Sequence, residues 1–389
     1  MLLSHSSSSI MIVGLMLPAV FALGDEPGFS RVDVYVGGRD GYHTYRIPSL
    51  VVTTQGTVLA FCEGRKNSAR DYGDIDLLLK RSTDNGRTWS EQIIVHEEGG
   101  DAEITIGNPC PIVDRKGIIH LLFTRNNQRL FYTCSTDDGR TWAEPREHTS
   151  ILKDLSYPLA RVASGPGHGI QTSRGRLIAP IWVCDRQLPD VKKEPTPSRY
   201  QSGVIYSDDA GRTWQTGKLV PPVLDRLNEG TVFERVDGTL SLNLRGYQLG
   251  FRAVSQSTDA GRTWSEPVLD KELICPTCQA SILRLSPREV IFSNPASTAR
   301  THLTIRFSDD EGRTWAHARV LDPGPSGYSD LALTRDGDIL CLHESGQQFY
   351  AEKITMARFN RAWMLRDDTH DPQPPDSDRT TEGAKSRGN

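Results

Sequence analysis

Four arginines, two carboxylic acids and one phenol stand out as groups that could do chemistry: Arg46, Arg65, Arg245, Arg300, Asp71, Glu229 and Tyr328. A guanidinium is charged at every physiological pH, and its planar fork matches a carboxylate bidentately. Several converging arginines therefore suit a small, permanently ionised ligand. Carboxylic acids and phenols can move protons or attack as nucleophiles. Taken singly, each has an ordinary structural reading. An arginine pairs with a surface acid, Asp71 caps a turn beside Gly73, Glu229 pairs with a nearby arginine, and Tyr328 fills a core. Only shared placement turns them into a site, so the elements that carry them decide the matter.

Those elements are set by an internal repeat. The octapeptide Ser-x-Asp-x-Gly-x-Thr-Trp begins at Ser82, Ser135, Ser207, Ser257 and Ser308, so successive starts lie 53, 72, 50 and 51 residues apart. Periods of this size mark propeller blades or solenoid units. The Ser and Asp side chains can hold local backbone N–H groups, and the Gly supplies a positive φ. The Trp is expected to pack between neighbouring units. Each octapeptide carries too few carboxylates to read as a metal loop.

Around each octapeptide the same order recurs: strand, tight turn, strand, variable loop, strand, octapeptide, strand. The tight turns fall at Gln55-Gly56, Lys116-Gly117, Arg174-Gly175, Asp237-Gly238, Ser286-Pro287 and Asp336-Gly337. That gives six units from five octapeptides. The last unit, with strands at 330–334, 339–343 and 353–359, lacks a fourth strand, and Arg31–Val36 is expected to supply it and so remove an exposed edge. The predicted fold is all-β, a six-bladed β-propeller of four-stranded antiparallel blades.

In such a blade the octapeptide and the tight turn share one face, while the start of the first strand and the loop between the second and third share the other. The second face collects Arg46, Glu229 and Tyr328 from strand starts, and Arg65, Asp71, Arg245 and Arg300 from loops. Asp71, Arg245 and Arg300 precede their octapeptides by 11, 12 and 8 residues, about one strand's length. Three arginines from three blades on one face point to an anionic ligand. Arg306 sits too near its octapeptide to reach that face, and Trp182 and Tyr200 suit packing as well as sugar stacking.

Other features bound the reading. A net charge of −4 argues against a general nucleic-acid binder. Residues 1–24 read as a signal peptide, with an apolar run from Ile10 to Leu23 that is short for a membrane span. Export to a secreted or periplasmic location is expected, with no membrane span after its removal. The catalytic domain is expected over 25–365, and 366–389 reads as a polar disordered tail. Cys275-Pro-Thr-Cys278 has redox or half-zinc-site spacing, but no partner segment accompanies it, so a structural pair or two buried thiols is the preferred reading. No metal ligand set is proposed and no cofactor is expected.

On these residues the chain resembles the sialidase (neuraminidase) family. The octapeptides look like its Asp-boxes, and Tyr45-Arg46-Ile47-Pro48 looks like its Arg-Ile-Pro motif; the likeness runs over roughly residues 30–360. The resemblance implies that Arg46, Arg245 and Arg300 bind a sialic acid carboxylate and that Arg65 also contacts substrate. It implies Asp71 as acid/base, which is expected to be partly desolvated so that it keeps a proton to donate, Tyr328 as nucleophile and Glu229 as the carboxylate that activates it. Gly165–Gln171 would form a rim loop. The implied activity is a retaining exo-α-sialidase acting on sialylated glycoproteins, glycolipids or oligosaccharides. The phenol makes sense because sialic acid carries its carboxylate on the attacked carbon, where a second anion would be repelled. The same site could also serve trans-sialylation or a related keto-sugar acid, and a silent propeller could bind glycans without catalysis.

Overall fold

The computed structural model describes Glu26 and residues 28–186 and 199–366. The expected signal peptide, and the expected tail beyond Arg366, lie outside the described residues. After β1 (Phe29–Val36), the first unit comprises β2 (Thr44–Val52), β3 (Val58–Arg65), β4 (Ile75–Ser82) and β5 (Ile93–His96). The second comprises β6 (Ile106–Val113), β7 (Ile119–Arg125), β8 (Arg129–Ser135) and β9 (Arg146–Glu147). In the third, the first strand is split into β10 (Arg161–Ser164) and β11 (Ile170–Gln171); both pair with β12 (Leu177–Cys184), followed by β13 (Tyr200–Ser207) and β14 (Gln215–Thr216). The fourth runs β15 (Leu227–Glu234), β16 (Leu240–Gly246), β17 (Phe251–Ser257) and β18 (Val268–Ile274).

The last two units depart from expectation. The fifth has β19 (Ser281–Arg284), β20 (Val290–Pro295) and β21 (Thr301–Ser308), and its outer strand is the first half of the 17-residue β22 (His317–Leu333). The second half of β22 is the inner strand of the sixth unit, beside β23 (Ile339–Ser345) and β24 (Lys353–Phe359). No turn separates them, because β22 passes from pairing with β21 at Pro325 to pairing with β23 at Ser326. The sixth unit's first strand thus begins well before the expected 330, and six units occupy five sheets, one of them seven-stranded.

The octapeptides behave as turn locks. In the first, Ser82 Oγ accepts the Gly86 amide at 2.9 Å, and Asp84 accepts the Thr88 amide at 2.9 Å and its hydroxyl at 2.6 Å. Burial slightly opposes ionisation of Asp84, but the hydrogen bonds from Thr88 and Ser82 outweigh it and hold the carboxyl at about 2. The Trp residues bridge units: Trp142 meets Phe61 of the first unit edge-on, and Trp214 leans on Tyr132 of the second, both with ring centroids 5.7 Å apart.

Ring closure uses the N-terminal strand. β1 pairs antiparallel with β24 from Phe29–Phe359 to Val36–Lys353, two residues longer than the expected 31–36. Val34 and Tyr35 enter a core shared with Tyr45, Leu50, Val58, Leu340, Ile354 and Met356, and the Tyr35 hydroxyl donates to the Ala60 carbonyl at 2.9 Å. Deleting residues through Val36 should cost roughly 3–6 kcal/mol from the Val34 and Tyr35 side chains alone, at about 1.5–3 kcal/mol each. Calorimetry should find a clearly lower Tm. An unchanged Tm would show that the ring does not depend on this strand.

Candidate active site

Four inner strands carry the same irregularity at the same depth. The ladder skips two residues opposite one between Arg46 and Ser49, Gly107 and Cys110, Leu227 and Gly230, and Ser326 and Ser329. A bulge of this kind re-aims side chains and bends the strand. The displaced pairs are Ile47-Pro48, Asn108-Pro109, Asn228-Glu229 and Gly327-Tyr328. Proline is tolerated there because no ladder N–H is required. Ile47 is held at a φ of 60°, a conformation that a β-branched residue adopts only under strong constraint.

The bulges open onto a cavity of about 270 Å³, and all seven residues singled out in the sequence line it. Tyr328 lies on its floor. Its hydroxyl donates to Glu229 Oε1 at 2.6 Å and accepts from Arg245 Nη1 at 2.7 Å, while the same guanidinium nitrogen donates to Glu229 Oε2. Burial pushes the phenol well above its ordinary value and Glu229 adds to this, against the opposing pull of Arg245, Arg300 and Arg46. The resting tyrosine is therefore neutral, with a carboxylate already in line to take its proton.

Arg46 is held by Glu344, a fully buried carboxylate in β23. Nε and Nη2 donate to it at 2.7 and 3.2 Å, and the amides of Ile47 and Tyr328 donate to it at 3.0 Å each. Arg65 donates to Glu63 and, at 2.9 Å, to Asp71. Arg300 lies over the rings of Tyr328 and Tyr350, 5.3 and 4.7 Å from their centroids. The one hydrogen bond of its guanidinium among the described residues goes to the Thr277 carbonyl, 3.1 Å from Nη2, and no carboxylate pairs with it there. The described residues contain no group of three or more His, Cys, Asp or Glu able to hold a metal ion.

Two expectations need correction. Burial does not keep Asp71 protonated: its side chain is 70 % exposed, on the loop between β3 and β4. What burial it has works against ionisation, but Arg65 and Arg46 outweigh this and hold the carboxyl below its usual range. Residues 165–171 do not line this cavity. His168, Ile170 and Gln171 instead line a separate axial cavity, and His168 pairs with Asp330 at 2.7 Å.

Some residues on or behind the cavity wall escaped the sequence reading. Glu344 and Glu63 act from behind the arginines, and alternation along a strand carries no mark of that role. Tyr350 and Arg161 were findable, since they occupy a strand 2–3 loop and a strand-1 start. Arg161 donates to the Tyr200 hydroxyl at 3.0 Å and lies over the Trp182 ring, so both aromatics line the cavity and pack at once. Arg306 stays out of the cavity, bonded to Asn294.

The BNR repeat-like domain family matches residues 56–341. An exo-alpha-sialidase of Aspergillus fumigatus is 32 % identical over 377 residues, covering 84 % of this chain and 86 % of the relative. The chain belongs to the sialidase family. A sialidase of Micromonospora viridifaciens is 33 % identical over 374 residues, spanning 88 % of this chain but only 55 % of that longer protein. Among solved structures, a Hadza microbial sialidase superposes with a TM-score of 0.75 at 30 % identity, covering 86 % of this chain and 69 % of the other. Family members are glycoside hydrolases, and this chain is one by descent and by fold.

Glu344 makes the arginine site testable. Glu344→Gln keeps the shape but removes the charge that orients Arg46, and should raise KM about 10- to 100-fold, the loss of one charge-assisted contact of roughly 1.5–3 kcal/mol. Steady-state kinetics on a sialoside checks this. An unchanged KM would mean that Arg46 does not depend on this carboxylate.

Proposed function

We propose that the chain is a retaining exo-α-sialidase that releases terminal sialic acid from glycoproteins, glycolipids or oligosaccharides. The observation that carries this reading is the Tyr328–Glu229–Arg245 cluster on the floor of an arginine-lined cavity. Five arginines line the cavity (46, 65, 161, 245 and 300), against four carboxylates at or behind its wall (Glu63, Asp71, Glu229 and Glu344). The excess of arginines over carboxylates suits an anionic group such as the carboxylate of a sialic acid. Arg46, Arg245 and Arg300 bind that carboxylate, and Arg65 orients Asp71 and touches substrate.

Attack begins as Tyr328 transfers its proton to Glu229 and its oxygen bonds to the anomeric carbon. The bond to the leaving oxygen breaks, and Asp71 gives that oxygen its proton. Asp71 then takes a proton from water, which attacks the same carbon, the electrons of the tyrosyl–sugar bond return to Tyr328, and Glu229 gives the phenol back its proton. Two displacements retain the configuration. The donor set around the reacting atoms requires no metal or organic cofactor. Export is inferred from the apolar run at residues 10–23; no helix among the described residues is long and apolar enough to cross a membrane.

Leaving-group dependence separates the roles. Asp71→Ala should be far more damaging with a natural sugar leaving group than with an acidic phenol, which departs without a proton. Tyr328→Phe should be severely impaired on both, since leaving-group acidity cannot restore the attacking oxygen. Replacing Arg46, Arg245 or Arg300 by Ala should cost about 2–4 kcal/mol in kcat/KM, with Lys rescuing only in part. Equal losses on both substrates for Asp71→Ala, with mild loss in Tyr328→Phe, would overturn the assignment.

A further inference from the structure

Between β18 and β19 the segment Cys275-Pro276-Thr277-Cys278 forms the wall behind the nucleophile. Both thiols are free and buried, and they pack with Tyr328 and Ile47 in one small cluster. A tight turn joins them: Cys275 Sγ accepts the Cys278 amide at 3.4 Å and donates to the Cys278 carbonyl oxygen at 3.3 Å. Thr277 sits at a φ of 56°. Its hydroxyl accepts the Gln248 amide at 3.0 Å, and its carbonyl is the seat of Arg300.

The surroundings of the pair are electropositive. Arg252 is completely buried, with its hydrogen bonds among the described residues going to Asn243, the Cys278 carbonyl and, at 4.0 Å, Cys275 Sγ. No carboxylate among the described residues hydrogen-bonds to it, although the charge of Glu229 reaches it. Burial pushes the Cys278 thiol up to about 12, with Arg300 pulling the other way. A Cys278 thiolate, once formed, would meet the guanidiniums of Arg300 and Arg245, which offset part of what burial and Glu344 impose.

We propose that Cys275 and Cys278 form an oxidisable dithiol whose closure to a disulfide weakens the binding of anionic substrate at Arg300. The thiol chemistry stands on the geometry of the turn, whereas the substrate side rests on the sialidase reading. The oxidant is a small-molecule disulfide such as oxidised glutathione. One cysteine thiolate attacks it and expels a thiolate that takes up the proton. The second cysteine then attacks the mixed disulfide, and a second thiol leaves with the second proton. Two thiols are oxidised and one disulfide is reduced, so electrons and protons balance. Drawing the sulfurs together turns at least one of them off the wall behind Tyr328 and tightens the turn that carries the Thr277 carbonyl.

Oxidation should raise KM for a sialoside by about tenfold, the loss of part of a hydrogen bond to a charged group. Binding and oxidation are then reciprocally linked. Saturating free sialic acid should make the pair harder to oxidise, shifting its midpoint by about 30 mV for that tenfold change. A purely structural cysteine pair would give no such shift. The experiment incubates the full chain with oxidised glutathione and maps loss of two hydrogens to the peptide containing residues 275–278. It then follows KM and the midpoint with and without sialic acid. Cys275→Ser with Cys278→Ser should abolish the oxidant response, whatever its basal rate. Absence of the mass loss, or a disulfide that leaves KM and midpoint unmoved, would overturn the proposal. Mass loss in a chain inactive on sialosides in both redox states would establish the dithiol and sink the sialidase reading.

Discussion

A carboxylate taken wholly out of water is tolerated only when its charge and lone pairs are matched, and Glu344 meets that condition with four donors: two from Arg46 and the amides of Ile47 and Tyr328. Breaking such a buried pair by removing one partner typically costs about 3–5 kcal/mol. The arrangement therefore fixes two functional residues at once. It aims the Arg46 guanidinium into the cavity, and it pins the backbone that carries Tyr328. Ile47 can stay at a positive φ because its amide is one of the four donors. Tyr328 and Arg46, 282 residues apart in sequence, are registered against each other through one side chain.

The same logic extends around the axis. Asp330 accepts from the Leu50 amide at 2.8 Å, from the Ser281 hydroxyl at 2.7 Å, and pairs with His168 at 2.7 Å, so one carboxylate of the sixth unit joins the first, fifth and third. Gln279 accepts the Ser329 amide, and Ser49 donates to the Pro109 carbonyl while accepting the Gly167 amide. The inner strands thus meet through polar side chains rather than through a greasy plug. Blade cores lie further out, and the octapeptide Trp residues stitch those cores together. A propeller built this way can place bulges at one depth in four strands, because relative heights are set by hydrogen bonds of fixed length.

Much of this was legible in the residues. Five octapeptides and their spacing give the blade, and the orphan strand at residues 31–36 gives the closure, because both are local patterns with a stereochemical cause. Arg46, Glu229 and Tyr328 were found by position along a blade, a rule that also covers Arg161 and Tyr350 had it been applied to every unit. The split of the third unit's first strand, the fusion of the last two units through β22 and the buried acids behind the arginines left no such trace. Those depend on pairing across tens to hundreds of residues. Asp71 was placed correctly but its environment was not, since exposure of a loop carboxylate is set by what the loop packs on, and periodicity does not report that.

The exposure of Asp71 has a consequence for the order of events. An acid must carry a proton to give one, yet in the open cavity Arg65 and Arg46 hold this carboxyl ionised. A sialoside bound as proposed changes both effects. Its carboxylate occupies the fork of Arg46 and offsets the positive charge that depresses Asp71, and its sugar ring covers a side chain that water now reaches. Loss of a neighbouring cation's pull and loss of solvent both disfavour the carboxylate, and each unit of upward shift corresponds to about 1.4 kcal/mol. Tyr328 needs no such adjustment, because burial and Glu229 keep the phenol neutral before substrate arrives. In the proposed mechanism the nucleophile is thus prepared by the protein and the acid by the ligand. An anionic sugar is the kind of ligand that can do the second, because a neutral one would leave Arg46 free to keep Asp71 ionised.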